Sequence, residues 1–304
     1  MTDYLVGTGG WAYFNVPDKP PLKAYSEVFN FVEVNYTFYE YPKERMVKQW
    51  RRMVPGDFTF AVRCHQDLTH RIGLKPVDEA YSILSRMVNY CEILDSPFLI
   101  LETPASYAIN KEEAREARNL FSSLTLRDVR IVWEVRAPST APVLDLMQDL
   151  NLIECIDLSI DTPSGESDIV YSRLFGKGKH NIYQFTDEEL LNIDQKINRI
   201  NPRIAALSYH GVRMNTDAAR YMRYKKTGTF IPITDFTGAD SAKVILSEDA
   251  QFPLSKKELI EHQGWKVIDL RSKERVHLSE FLSKIPNKIY NSADEVAKAL
   301  EEVM

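Results

Sequence analysis

The feature that most constrains this chain is a rhythm. Over residues 1–228, short apolar runs rich in β-branched and aromatic residues alternate with stretches that carry helix start signals. The runs are Tyr4–Gly7, Phe31–Asn35, Phe58–Arg63, Phe98–Glu102, Arg130–Val135, Ile153–Leu158, Ile169–Leu174 and Ile204–Tyr209. Pro42 leads Lys43–Met53 and Pro76 leads Val77–Leu94, Asn110 with Glu113 opens another helix, and Thr186 with Glu189 forms a capping box at Glu188–Ile200. Ser159–Ser167 is too short and too rich in Pro and Gly for a helix, so one crossover is expected to be a loop or a single turn. Strand–helix alternation implies a parallel sheet with helical crossovers, and eight units in ~230 residues match a TIM-like (β/α)8 barrel. An open dinucleotide-binding sheet fits worse. In Gly7-Thr8-Gly9-Gly10-Trp11 the third glycine of that pattern falls at Ala12, and no helix start follows.

After Gly228 the rhythm changes. Thr229–Asp240 reads as a linker, followed by a strand at Lys243–Ser247, a helix at Ser255–Gln263, a strand at Trp265–Leu270, a helix at Leu278–Ile285, a strand at Lys288–Tyr290 and a helix at Ala293–Val303. The expected organisation is a barrel over residues 1–238 and a small C-terminal α/β appendage over 239–304. A unit of that size has little core of its own, so it is expected to dock on the barrel as a partner-binding or gating element. Its Lys256, Lys257, Lys273 and Arg275 read as surface charges. Composition excludes several classes: apolar residues at 44% rule out a wholly disordered chain, and no apolar run approaches the ~20 residues of a spanning helix. Three widely spaced cysteines give neither a disulfide framework nor a CxxC metal site. With no basic, apolar leader at the start, a reduced cytoplasmic setting without membrane contact is expected.

Three stretches in order, GTGGWAYF (Gly7–Phe14), FNFVEVNYTFYEYP (Phe29–Pro42) and PGDFTFAVRCHQDLTH (Pro55–His70), resemble the YecE-like family, domain of unknown function 72. The resemblance continues through WEVR (Trp133–Arg136), SRLFG (Ser172–Gly176) and YQFTDEEL (Tyr183–Leu190) and covers about residues 4–228. It implies a TIM-like barrel and no established activity. This chain departs from the family pattern at Gly9 (usually Ser), Arg63 (usually Lys), Leu101-Glu102-Thr103-Pro104 (usually Gln-Leu-Pro-Pro), Phe175 (usually His) and the strand end Tyr209-His210-Gly211.

Barrel sites lie at the C-terminal ends of the strands. Those ends supply Trp11 and Tyr13; Glu33, Asn35 and Tyr36; Arg63, His65 and His70; Glu102; Glu134 and Arg136; Asp161; Arg173; and His210. Glu33 sits between two valines in a buried strand, where a carboxylate needs a partner. It is either a general acid or base or half of a structural pair with a barrel arginine. Glu134 and Arg136 alternate and so face one side, either holding an anion or closing an internal salt bridge. The expected catalytic groups are Glu33, Glu134 and His70. The expected ligand contacts are Trp11, Tyr13, Asn35, Tyr36, Arg63, Arg136, Arg173 and His210. His65, Glu102 and Asp161 are candidate ligands of a divalent metal, although no HExxH, HxH or DxD spacing supports one. Cys64, between Arg63 and His65, is expected to face the helix layer.

Two basic runs stand against a net charge of −5: Lys43–Met53 and Arg213–Lys226, each with five basic residues and one acid. The second is interleaved with Tyr221 and Tyr224. Basic residues with stacking aromatics are the signature of phosphate-backbone binding. The sequence therefore favours a phosphate-bearing ligand, a nucleic acid or nucleotide, with phosphoester hydrolysis as the chemistry. A non-catalytic ligand- or partner-binding module and a carbohydrate isomerase- or epimerase-like enzyme are the alternatives.

Overall fold

The computed structural model describes residues 2–304 except Ser139, Glu166 and the side chain of His180. Eight parallel strands, β1 (Asp3–Thr8), β2 (Phe31–Val34), β3 (Thr59–Arg63), β4 (Phe98–Thr103), β5 (Arg130–Val135), β6 (Ile153–Ile156), β7 (Ile169–Leu174) and β8 (Ile204–Tyr209), close into a barrel in sequence order. Pairing of β1 with β8 from Asp3↔Ile204 to Thr8↔Tyr209 completes the ring. Helices α1 (Pro21–Ser26), α2 (Tyr36–Tyr39), α3 (Glu44–Met53), α4 (Asp78–Leu94), α5 (Lys111–Ser122), α6 (Ala141–Asp149) and α7 (Asp187–Ile200) lie between the strands in the chain. The described residues between β6 and β7 form no helix, as the Pro- and Gly-rich composition there required. Asn110 caps α5 with the full box, its side chain accepting from Glu112 and Glu113 N–H while Glu113 reaches back to the Asn110 N–H.

Alternation inside the barrel sets up the site. Leu5, Phe31, Ala61, Phe98, Ile100, Val132, Ile153, Cys155, Ile169, Tyr171 and Ala206 pack together as the barrel's filling. Two residues further along five strands, the same inward face carries Glu33, Arg63, Glu102, Glu134 and Arg173. The barrel is thus oily below and ionic at its C-terminal mouth. Gly7 allows β1 to pass β2, since a Cβ there would sit 1.8 Å from the Phe31 carbonyl oxygen.

By contact the chain divides into two units, residues 1–174 with 196–209 and residues 175–195 with 210–304. The second contains α8 (Met214–Thr227), α9 (Gly238–Ser247), β9 (Leu254–Ser255), α10 (Lys256–Gln263), β10 (Val267–Arg271), β11 (Glu274–His277), α11 (Ser279–Leu282), β12 (Ile289–Tyr290) and α12 (Ala293–Glu301). It has an apolar core of its own around Ile245, Leu246, Leu259, Ile268, Leu278, Leu282, Val296 and Leu300. The strand expected at Lys243–Ser247 is instead the end of α9. Its buried residues Ser241, Ala242, Ile245 and Leu246 recur at helical spacing, and that period outweighs the local Val-Ile-Leu run. Arg275, expected on the surface, is buried. Among the described residues no helix is long and apolar enough to cross a membrane.

Candidate functional site: an ionic barrel mouth

Three carboxylates and three guanidinium groups interlock at the mouth. Arg173 is the hub, 2% exposed. Its Nε donates to Glu33 Oε2 at 3.2 Å and its Nη1 to Glu102 Oε2 at 2.8 Å and to Glu134 Oε2. Tyr171, two residues earlier on the same face of β7, donates its hydroxyl to Glu33 Oε1 at 2.9 Å. Arg63 bridges Glu102 and the Asn35 side-chain oxygen, and its guanidinium carbon lies 3.6 Å from the Phe38 ring centroid. Arg136 closes the ring, Nη1 to Glu102 Oε1 at 3.0 Å and Nε to Glu134 Oε1 at 2.9 Å. Its side chain is 41% exposed, against 6% for Arg63 and 2% for Arg173.

Three negative and three positive groups sum to zero, which is what makes burial of so many charges tolerable. Burial raises the Glu134 carboxyl, but Arg173 and Arg136 outweigh it and hold the group below the usual carboxylate range. Burial opposes the charge on Arg173, yet Glu33, Glu134 and Glu102 together raise its pKa well above normal. Burial and then Arg173 lower the pKa of Arg63, with Glu102 and Glu33 pulling the other way; a guanidinium stays charged throughout.

His70 enters from an unusual turn. Asp67–Ile72 is wound as a π-helix and ends in two consecutive left-handed residues, Gly73 at φ +72° and Leu74 at φ +59°. Such windings and a left-handed leucine are costly and gather at functional sites. The Tyr107 hydroxyl clamps the turn by donating to the Gly73 carbonyl. His70 Nδ1 lies 2.9 Å from Thr69 Oγ1, and the ring meets Phe38 edge-on at 5.4 Å. Burial lowers its pKa, with Arg63 and Arg136 adding to the effect against Glu102, so the imidazole is neutral near pH 7.

The structure thus brings together Glu33, Arg63, Glu102, Glu134, Arg136 and Arg173, with Asn35 bonded to Arg63 and His70 within reach of their fields. Arg173 faces three carboxylates rather than solvent, so the expectation that it meets a ligand gives way to a supporting role. The metal trio does not assemble. β3 ends at Arg63, so the two-residue alternation stops before His65, which turns aside to stack on Tyr41 at 4.0 Å. β6 ends at Ile156, and exposed Asp161 takes part through its carbonyl, which accepts from Lys196 Nζ at 2.8 Å. Among the described residues no three His, Cys, Asp or Glu side chains converge to hold a metal ion. His210, in the second unit, stacks on Phe175 at 4.8 Å. Trp11 and Tyr13 lie on the loop after β1 and Tyr36 opens α2 after β2; Trp11 meets Trp50 at 5.3 Å and Tyr36 meets Trp50 at 6.1 Å. Cys64 is buried with its thiol pushed up to about 12 by burial, an inert packing group.

Three of the five cations in the basic run at α8 have internal partners. Buried Arg220 pairs with Asp217 and Asp187, Lys225 with Asp194, and Arg213 with Glu248. Arg223 and Lys226 stay exposed. Sequence reasoning passed over Tyr171 and Phe38. Tyr171 was within reach of the same alternation that selected Arg173, whereas Phe38 is set by the turn of α2 and only the folded chain reveals it.

Fold and mouth define a (β/α)8 barrel with an ionic, electroneutral C-terminal face. Residues 5–224 match the model of the family described as "Protein of unknown function DUF72", and the chain belongs to that family. A stretch of 67 residues is 34% identical to UPF0759 protein YecE of Escherichia coli K12, covering 22% of this chain and 25% of that protein. The chain thus spans about a quarter of that curated relative's length. Crystal structures of DUF72 family proteins from Thermotoga maritima (17% identity, TM-score 0.60) and Enterococcus faecalis (14%, TM-score 0.59) share the fold. Each match covers 74% of this chain, with 99% of the Thermotoga and 98% of the Enterococcus protein.

Proposed function

We propose that the mouth binds a phosphate-bearing ligand, a nucleotide or nucleic acid, and hydrolyses a phosphoester there. The observation that carries this reading is Arg136. It is the most open of the three mouth arginines and bonds to Glu102 and Glu134 at the rim. A phosphate arriving there exchanges those bonds for charge-assisted ones. The carboxylate oxygens it frees need donors, which sugar hydroxyls supply. An electroneutral mouth therefore suits a ligand that carries both an anion and hydroxyl groups. Arg173 and Tyr171 fix Glu33 and Glu134 in place beneath it.

For the chemistry, His70 is neutral and its Nε2 has no partner among the described residues. It is placed to take the proton from an attacking water and return it to the leaving alcohol as the phosphorus–oxygen ester bond breaks. Arg136 offsets the charge that develops on phosphorus. The competing reading is a non-catalytic binding module, favoured by the internal balance of three charges against three.

The test is calorimetric titration of the protein and Arg136→Ala with ribose 5-phosphate and nucleoside monophosphates, alongside a phosphodiesterase assay on the protein and His70→Ala. Binding that weakens at least ten-fold in Arg136→Ala supports the mouth. Turnover lost in His70→Ala with affinity kept supports hydrolysis, and binding without turnover leaves the module.

A further inference from the structure

Beside the ionic ring lies a group of aromatic side chains that the network does not use. Tyr39 is 57% exposed and Tyr36 47%, and half-buried Trp50 meets Tyr36 at 6.1 Å and Trp11 at 5.3 Å. Exposed rings in one place forgo burial that stabilises a core, and such patches mark binding surfaces. These rings are also held in position. Thr37 Oγ1 lies 2.8 Å from the Val34 carbonyl oxygen and 2.6 Å from that of Arg63, which pins the single turn of α2 to the ends of β2 and β3. With Thr37 and Phe38 buried, Tyr36 and Tyr39, three residues apart, project together on the open side. Gly10, at φ +141°, takes a backbone conformation that favours glycine in the loop after β1, from which Trp11 reaches Trp50.

The patch is continuous with the mouth. Asn35, next to Tyr36, accepts from Arg63; Arg63 donates to Glu102; and Glu102 is bonded to Arg136. Lys43, which caps α3, is exposed without an acid partner among the described residues, and seven residues of helix put it on the same side as Trp50. Exposed rings joined to a rim arginine through Asn35, Arg63 and Glu102 match a ligand with an aromatic ring and phosphate in one molecule.

We propose that Tyr36 and Tyr39, backed by Trp11 and Trp50, form a platform on which an unpaired nucleobase stacks while its phosphate lies at the mouth. This rests on the phosphate-binding reading above and specifies the ligand as base-bearing. A free nucleotide and the end of a single strand share this chemistry.

The experiment measures binding to the full chain by calorimetry and by quenching of tryptophan fluorescence. The probes are thymidine, thymidine 5′-monophosphate, ribose 5-phosphate and a short oligothymidylate. The expected result is that Tyr36→Ala and Tyr39→Ala each weaken the monophosphate roughly ten-fold, the cost of one stacked base. Ribose 5-phosphate is unaffected, and Tyr36→Phe and Tyr39→Phe, which keep the ring, bind as the parent does. Equal affinity for ribose 5-phosphate and the monophosphate, or no effect of either alanine, overturns the platform while leaving the mouth reading intact. Binding of thymidine that depends on Tyr36 but not on Arg136 upholds the platform and rejects the mouth. No binding of any probe overturns both. Tighter binding of the oligothymidylate than of the monophosphate assigns the source to a strand, and the reverse assigns it to a free nucleotide.

Discussion

Two buried ionic clusters, built from the same chemistry, behave as opposites. In the barrel, Glu33, Glu102 and Glu134 meet Arg63, Arg136 and Arg173, three against three, and the last link opens to solvent through Arg136. In the second unit, among the described residues, Asp217, Asp187 and Asp269 have two cationic partners, Arg220 and Arg275, and both arginines are buried. That chain ties segments distant in sequence: α8 through Arg220, the start of α7 through Asp187 and the β10–β11 hairpin through Asp269 and Arg275. Burial has a consequence there: it outweighs Arg220 and the Phe185 N–H and raises the Asp217 carboxyl to about 7. A closed, unbalanced cluster acts as a staple. A balanced cluster with one open arm is the arrangement the proposed site uses. Backbone accounting agrees, because Asp217 and Asp269 also accept from the N–H groups of Phe185, Ile233 and Thr234, whereas the mouth carboxylates are held by side chains.

The comparison breaks most visibly at Arg173. Arg173→Ala leaves three buried carboxylates short of a partner and is expected to cost about 3–5 kcal/mol, read from urea unfolding curves. Unchanged stability would mean that water already relaxes the mouth and that the network is not dry. Arg275→Ala cuts the staple but leaves Asp187 its bond to Arg220 and Asp269 its backbone donors. Its expected cost is about 2–3 kcal/mol, with affinity at the mouth unchanged. A loss of affinity would join the two clusters functionally.

The third expectation is a pH dependence. The folded Asp217 carboxyl titrates at about 7 against ~3.9 in an unfolded chain. The folded state thus holds a proton that the unfolded state releases. Stability from this group is full below pH ~4 and falls as pH rises towards 7, by on the order of 2–4 kcal/mol. Asp217→Asn should flatten that slope in unfolding free energies measured from pH 4 to 8. A slope that survives the substitution assigns the effect elsewhere. Arg136→Ala sits at the small end for stability. Its side chain is 41% exposed, so a change within about 1 kcal/mol is expected, with the effect appearing in ligand affinity instead. A large fall in melting temperature with unaltered affinity would move Arg136 into the structural class. The smallest effect is spectroscopic: an NMR titration of His70 should give a midpoint below the usual ~6.5, and Arg63→Met should raise it.

Much of this was legible beforehand. Runs of apolar residues separated by capped helices announced the barrel, because strand and helix periods are local properties of the chain. Glu33, Glu134, Arg136 and Arg173 stood out because each falls at or just past an expected strand end, where barrel sites gather. That inference failed where the strands stopped. His65 and Asp161 lie past the ends of β3 and β6, and beyond a strand end the alternation no longer dictates direction. Composition also hides that three of the five cations in the basic run at α8 meet acids brought from elsewhere in the fold, Arg220 and Lys225 on aspartates and Arg213 on Glu248.

The sequence by itself determined the closed parallel barrel, the helix-free crossover before β7 and the ring of charges at its C-terminal end, since each follows from periodicity, caps and composition within a few residues. Only the tertiary structure decided which charges are buried in pairs and which are open. It made Arg173 a hub, left Arg136 at the rim and turned Tyr36 and Tyr39 outward. It also used Arg220 and Arg275 as internal fastenings. Those outcomes depend on partners brought together from more than thirty residues away, as from Glu33 to Arg173 or Asp187 to Arg275, and on how much water remains around each group. A linear chain specifies the charges, whereas desolvation and pairing, which set their energies, exist only once it has closed.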